Sequence, residues 1–236
     1  MTYQLILFDL DDTLLDFGAT QAAAFDATLA KYAIDTGDGA LYAQYDQFSK
    51  QCWRRHEEGT LSKALLRTER FRLTLEWWGV KDAPVDELAQ AYLDELPRHP
   101  FLVDGAVEVC RRLSLVATLG VVTNGFEAVQ RARLSLAPFR EHVSFLLTSE
   151  SVGAPKPARP IFDRALELGA ASSSETVMVG DNPSCDIAGA HARGIDTVWL
   201  APADAHPEVE VSPTHRVERL AELLDLPRFG AHAAQG

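Results

Sequence analysis

The sequence predicts an α/β fold, a doubly wound parallel sheet whose first strand is separated from the others by an all-helical insert. Three observations carry this. From about Phe101 onward, short apolar runs alternate with amphipathic segments, the rhythm of a parallel sheet covered on both faces. An apolar run at residues 4–8, inside LILFDLDDTLLDF, shares that texture. Between the two, from Phe17 to Pro97, the pattern has a helical period and almost no β-branched runs.

Taken in order, Leu5, Ile6, Leu7 and Phe8 form a run too apolar to leave either face in water, so a buried strand is expected there. QAAAFDATLAKYA and LSKALLRTERFRLTLEWW then repeat apolar residues at helical spacing. Gly or Pro marks both edges of this region, at Asp16 to Ala19 and Pro97 to Pro100, which read as hinges. The expected organisation is therefore a Rossmann-like core of residues 1–16 and 98–236, with a helical domain of residues 17–97. In the core, ATLGVVT precedes EAVQRARLSLA, SFLLTS precedes ARPIFDRALELG, TVMVGD precedes SCDIAGAHARG, and DTVWL precedes RVERLAELLDL, each an apolar strand followed by an amphipathic segment. The tail after Pro227, RFGAHAAQG, reads as disordered.

Composition narrows the function. The 236 residues, 47% of them hydrophobic, can bury a sizeable core. Lys and Arg number 22 against 34 Asp and Glu, and the formal charge of -12 repels a phosphate backbone, so no nucleic acid is expected as partner. No stretch approaches the roughly 18 apolar residues of a membrane span. MTYQLILFD lacks the basic segment and longer apolar run of a signal peptide, and a cytoplasmic protein is expected. Cys52, Cys110 and Cys185 are odd in number and far apart, which suits a reducing compartment better than a disulfide framework or a zinc site.

The strand exits carry the chemistry. Asp9 follows the first strand, Thr123 and Asn124 follow GVV, and Asp181 follows VMVG. Open parallel sheets bind ligands at these carboxyl ends, where strand order reverses. Lys156, in a loop between a strand and a helix, can reach the same crevice. Singly, an Asp or Thr after a strand is most often a helix cap or turn former. Together, Asp9, Asp11, Asp181 and Asp186 would repel one another by roughly 3 kcal/mol per pair at about 5 Å and an effective dielectric near 20. A divalent cation resolves this, and Mg²⁺ prefers hard oxygen ligands shared between carboxylates and a substrate phosphate.

FDLDDT, VVTNG, the lysine of GAPKP and VGDNPSCD occur in the order of the four motifs of the haloacid dehalogenase superfamily, aspartate-nucleophile phosphohydrolases that this chain resembles over nearly its whole length. The resemblance implies that Asp9 attacks phosphorus, that Asp11 protonates the leaving alkoxide and then activates water, and that Thr123 with the Asn124 backbone, beside Gly125, holds the phosphoryl oxygens. Lys156 would neutralise charge on the nucleophile and the transferring group. Mg²⁺ would be held by Asp9, the Asp11 backbone carbonyl and Asp181, with Asp186 behind them. Asp12 stays open between a turn anchor and a metal contributor. Dehalogenases of the superfamily lack an acid two residues after the nucleophile, so Asp11 implies phosphoryl transfer. Gly125 and Gly180 read as points of close backbone approach.

The insert resembles the superfamily's helical C1-type cap. Gly59 and Thr60 could dip toward the crevice. Arg67 and Arg70, three apart, are expected to be solvated, with a substrate role as the sharper alternative, while Trp53, Trp77, Trp78 and Phe71 are expected to pack. TNGFEAVQRARL, TSESVGAPKPARPIFDRALE and EGTLS are similar to house-cleaning pyrimidine 5'-nucleotidases, which implies pyrimidine nucleoside monophosphates as substrates. Phosphatases of phosphoglycolate, N-acylneuraminate 9-phosphate or sugar phosphates, and phosphoryl mutases, share much of this wording. The expected partner is a small phosphorylated metabolite, and the expected state is monomer or homodimer.

Overall fold

The computed structural model describes residues 2–37, 39–206 and 212–230. The chain divides into two compact units, Met1–Phe17 with Pro100–Gly236, and Gly18–His99.

The first unit is built on a six-stranded, wholly parallel sheet of β1 (Leu5–Phe8), β2 (Thr118–Thr123), β3 (Phe145–Thr148), β4 (Thr176–Gly180), β5 (Asp196–Leu200) and β6 (His215–Val217), in the order β3-β2-β1-β4-β5-β6. β1 is central, with Phe8 level with Val121 on one side and Val179 on the other. The order reverses at β1, so the exits of β1, β2 and β4 share one crevice. Alternation along β1 sends Ile6 and Phe8 into a cluster with Val109, Val121, Val179 and Val198, and Leu5 and Leu7 into another with Ile161, Phe162 and Met178. Both faces are thus apolar, which is why the run in the sequence is unbroken.

The sequence expected an amphipathic segment over RVERLAELLDL. Its start is instead the short edge strand β6, and Leu220–Asp225 is a 3-10 helix. The tail expectation also needs correction at its start. Arg228 donates to Asp196 Oδ2 at 2.5 Å and Phe229 packs edge-on against Tyr3 with centroids 5.2 Å apart, while residues 231–236 lie outside the described residues.

The second unit is helical, with α1 (Phe17–Lys31, starting in the first unit), α2 (Ala40–Glu57), α3 (Lys63–Trp77) and α4 (Val85–Glu95), while α5 (Ala106–Leu113), α6 (Glu127–Leu136), α7 (Ser149–Val152) and α8 (Arg159–Gly169) belong to the first unit. Phe25, Tyr45, Phe71 and Tyr92 interlock at its centre, with centroids 4.5 Å apart for Phe25 and Tyr45 and 4.9 Å for Tyr45 and Phe71. Phe71 packs as expected, whereas Trp77 is 52% exposed and stacks on Trp78. Arg70 is not solvated. It is 1% exposed, its guanidinium carbon 4.8 Å from the centroid of the Tyr92 ring, an arrangement in which π faces replace water around the cation. Among the described residues no helix is long and apolar enough to cross a membrane.

Candidate active site

The β1 ladder runs one step past the strand, where the Asp9 N–H donates to the Val179 carbonyl at 2.9 Å, so the first acid starts from a fixed backbone. Lys156 reaches it from the loop between α7 (Ser149–Val152) and α8 (Arg159–Gly169). That loop is fastened by Asn124. The Lys156 N–H donates to Asn124 Oδ1 at 2.8 Å, and Asn124 Nδ2 donates to the Lys156 carbonyl at 2.9 Å. The ammonium, on a residue 2% exposed, lies 2.5 Å from Asp9 Oδ1 and 2.7 Å from Asp186 Oδ1, and donates to the Val122 carbonyl at 2.8 Å. Two hydrogen bonds, to Asp9 and to the Val122 carbonyl, and an ion pair with Asp186 thus hold the ammonium in place.

Asp186, fully buried, also accepts from the Asn182 N–H at 3.2 Å through Oδ2. A Cβ on Gly180 would collide with that oxygen, which gives the close backbone approach its reason. Asp181 leaves β4 with its carbonyl accepting from Trp199 Nε1 at 2.8 Å and its Oδ1 accepting from the buried Thr13 hydroxyl at 3.4 Å. One oxygen each from Asp9, Asp181 and Asp186 lie within 4.8 Å of one another. Asp186 thus belongs to the same cluster of carboxyl oxygens as Asp9 and Asp181.

Electrostatics follow from this crowding. Burial pushes the Asp9 carboxyl up to about 7 despite the opposing pull of Lys156, with Asp186 and Asp11 adding to the rise. Burial, then repulsion from Asp9 and Asp186, pushes Asp181 up to about 9. Burial lowers the Lys156 ammonium, but Asp186 and Asp9 outweigh it and the net value is raised, so the lysine stays charged. Among the described residues, Lys156 pairs with Asp9 and Asp186 but not with Asp181. The donor set, hard oxygens with surplus negative charge, fits a divalent cation such as Mg²⁺.

Thr123, at the end of β2, accepts from the Gly125 N–H at 3.1 Å and from Gln130 Nε2 at 3.0 Å, leaving its own proton to donate elsewhere. Asp11 is not among the three gathered acids. Its Oδ2 accepts from Gln130 Nε2 at 2.7 Å and its Oδ1 pairs with Arg133, both on α6 (Glu127–Leu136). Asp12, exposed and at φ 55°, accepts from the Phe17 N–H at 2.9 Å and anchors the turn into α1. In the helical unit Arg67 donates to Gln90 at 3.0 Å, Thr60 donates to the Arg55 carbonyl, and Gly59 turns the chain at φ 74°.

The family model of haloacid dehalogenase-like hydrolases matches residues 3–194, which include every one of these strand-end groups. The chain belongs to that family. Among haloacid dehalogenase-like relatives, it is 31% identical to pyrimidine 5'-nucleotidase YjjG of Escherichia coli over 96% of its length and 98% of the relative's. It is 30% identical to pyrimidine 5'-nucleotidase PynA of Streptococcus pneumoniae, with 95% of each chain covered. The magnesium-bound crystal structure of the HAD-hydrolase YfnB of Bacillus subtilis superposes with a TM-score of 0.89 at 30% identity, covering 95% of this chain and 98% of that one.

Sequence reasoning missed Gln130, Arg133, Thr13 and Trp199. A signal existed for the first two, since α6 buries Val129, Gln130, Arg133 and Leu134, a stripe that is otherwise apolar.

Proposed function

We propose that this chain is a Mg²⁺-dependent phosphomonoesterase acting through an aspartyl-phosphate, with pyrimidine nucleoside 5'-monophosphates as substrates. The observation that carries the reaction type is Asp11, a second carboxyl two residues after the nucleophile and bound at both oxygens by buried side chains. A halide departs without a proton, whereas an alkoxide requires one, so an acid placed there serves ester cleavage. The names of YjjG and PynA support the substrate class.

In the first step an Asp9 oxygen bonds to phosphorus, the bond from phosphorus to the ester oxygen breaks, and a proton from Asp11 goes to that oxygen. Thr123 donates its hydroxyl to a phosphoryl oxygen, and Lys156 balances the charge that builds on the transferring group. In the second step water bonds to phosphorus, its proton returns to Asp11, and the bond from Asp9 to phosphorus breaks, releasing phosphate. Asp9, Asp181 and Asp186 would hold Mg²⁺, which when bound supplies positive charge for the phosphoryl oxygens and keeps the nucleophile ionised. The helical unit is read as the substrate-selecting cap.

The test is a steady-state screen with Mg²⁺ or with chelator over nucleoside monophosphates, sugar phosphates, phosphoglycolate, a 2-haloacid and p-nitrophenyl phosphate. The expected result is Mg²⁺-dependent multiple turnover, greatest with dUMP or TMP and absent in Asp9→Asn. Preference for another phosphate would replace the substrate class; halide release without phosphate release would overturn the reaction type.

A further inference from the structure

We infer that Gln130 and Arg133 are positioning residues, a buried bracket that holds the Asp11 carboxyl in the orientation from which it serves the leaving group and ties that orientation to Thr123. The inference rests on the phosphomonoesterase reading above.

The bracket is complete at the acid. Gln130 and Arg133 are one helical turn apart on α6 and 1% and 2% exposed. The two amide protons of Gln130 Nε2 have two acceptors, Asp11 Oδ2 at 2.7 Å and Thr123 Oγ1 at 3.0 Å. Gln130 Oε1 accepts from Arg133 Nη1 at 3.0 Å, and the same guanidinium nitrogen pairs with Asp11 Oδ1. Both carboxyl oxygens are therefore held from one side, which fixes rotation about the last side-chain bond of Asp11. The direction of the amide is determined as well, because reversing it would turn its oxygen toward a carboxylate and its protons toward a guanidinium.

The surroundings are arranged around this bracket. Gly125 makes room for it, since a Cβ there would collide with the Gln130 amide. The Arg133 guanidinium carbon lies 5.3 Å from the centroid of the Phe17 ring, so an aromatic face backs the cation. Among the described residues, Nε and Nη2 of Arg133 are buried without a hydrogen-bond partner. A guanidinium left with two unsatisfied buried donors is a poor stabilising device, and an apolar side chain of similar volume would pack the position better. A cation kept at such a site, with its one engaged nitrogen directed at the acid, points to placement of Asp11 rather than to stability.

The experiment compares the wild type with Arg133→Met, Arg133→Lys, Asp11→Asn and the Asp11→Asn/Arg133→Met double variant, all Mg²⁺-loaded. The first step is read alone, as single-turnover release of the alcohol with enzyme in excess, on a nucleoside monophosphate, whose alkoxide must be protonated, and on p-nitrophenyl phosphate, whose phenolate leaves unaided. Arg133→Met is expected to lower the single-turnover rate on the alkyl ester by about 100-fold, the scale of a misplaced reacting group, with little change in the enzyme concentration that half-saturates it. The aryl ester should slow by less than about threefold, and the double variant should be no slower than Asp11→Asn alone, because both changes remove one function. Arg133→Lys, which keeps a charged donor, should recover part of the alkyl rate, and it gives the same comparison if the methionine variant fails to fold. Equal slowing of both esters, or losses that multiply in the double variant, would overturn the inference while leaving the phosphomonoesterase reading intact. A folded wild type inert on every ester would overturn both.

Discussion

Adding Mg²⁺ should stabilise this protein, and by more as the pH rises. Oxygens of Asp9, Asp181 and Asp186 lie within 4.8 Å of one another, and each charged pair at that separation repels by at least about 3.5 kcal/mol at an effective dielectric near 20. Lys156 offsets this for Asp9 and Asp186. Without a cation the site relieves the rest by holding protons, with Asp181 pushed up to about 9 and Asp9 up to about 7. Both folded values lie above those of an unfolded carboxyl. The unfolded chain therefore releases these protons first, and the metal-free protein loses stability as pH rises from about 4 toward 9. The metal must displace the same protons. Its apparent affinity should climb about a hundredfold per pH unit below 7, where two protons leave, and about tenfold per unit from there to 9, where one does. Ion at about 100 times its dissociation constant adds about 2.7 kcal/mol of stability. At about 2–4 °C per kcal/mol for a chain of this size, that raises Tm by about 5–10 °C. Scanning calorimetry with MgCl₂ or chelator near pH 6, 7.5 and 9 should show the Mg²⁺-induced shift growing across the series, and Asp181→Asn should remove most of it. A shift independent of pH, or one that survives Asp181→Asn, would refute this account of the site.

Three further outcomes follow from the packing around buried groups. Lys156→Met should abolish turnover and cost the metal-free protein about 3–5 kcal/mol in urea denaturation, because it strands Asp9 and Asp186 without their buried cation. Gly180→Ala should cost about 1–3 kcal/mol and weaken the Mg²⁺-induced shift, since the added Cβ must displace the Asp186 carboxyl, which calorimetry with and without the ion reads directly. Cys110, buried and with its thiol pushed up to about 12 by that burial, should resist iodoacetamide in the folded protein and react only after denaturation, as mass spectrometry of the alkylated peptide would show.

What was legible in the sequence shares one property: it depends on a few neighbouring residues. Leu5 to Phe8 announce a central strand because both faces are covered, and Asp9 and Asp181 announce a crevice because each follows directly on a buried run. β6 was not legible, being three residues at a sheet edge, one of them exposed, too short to establish a period. Phe229 looks like tail in the sequence because its partner, Tyr3, stands at the other end of the chain. Arg70 and Arg133 expose a deeper limit. Each lies on an amphipathic helix where an arginine is ordinarily solvated, and only folding reveals that one faces Tyr92 and the other an acid 122 residues away. Yet the spacing of Gln130 and Arg133 held the clue, since both fall in register with Val129 and Leu134, on the face α6 buries. A polar residue on a buried stripe must find a partner or destabilise the fold, and that partner has to come from an element packed against the stripe. On a helix that follows β2 in a parallel sheet, the elements within reach include the exits of β2 and β1, where Thr123 and Asp11 stand. Periodicity and topology together would therefore have limited the search to the strand-end groups, even though neither alone could name the acid.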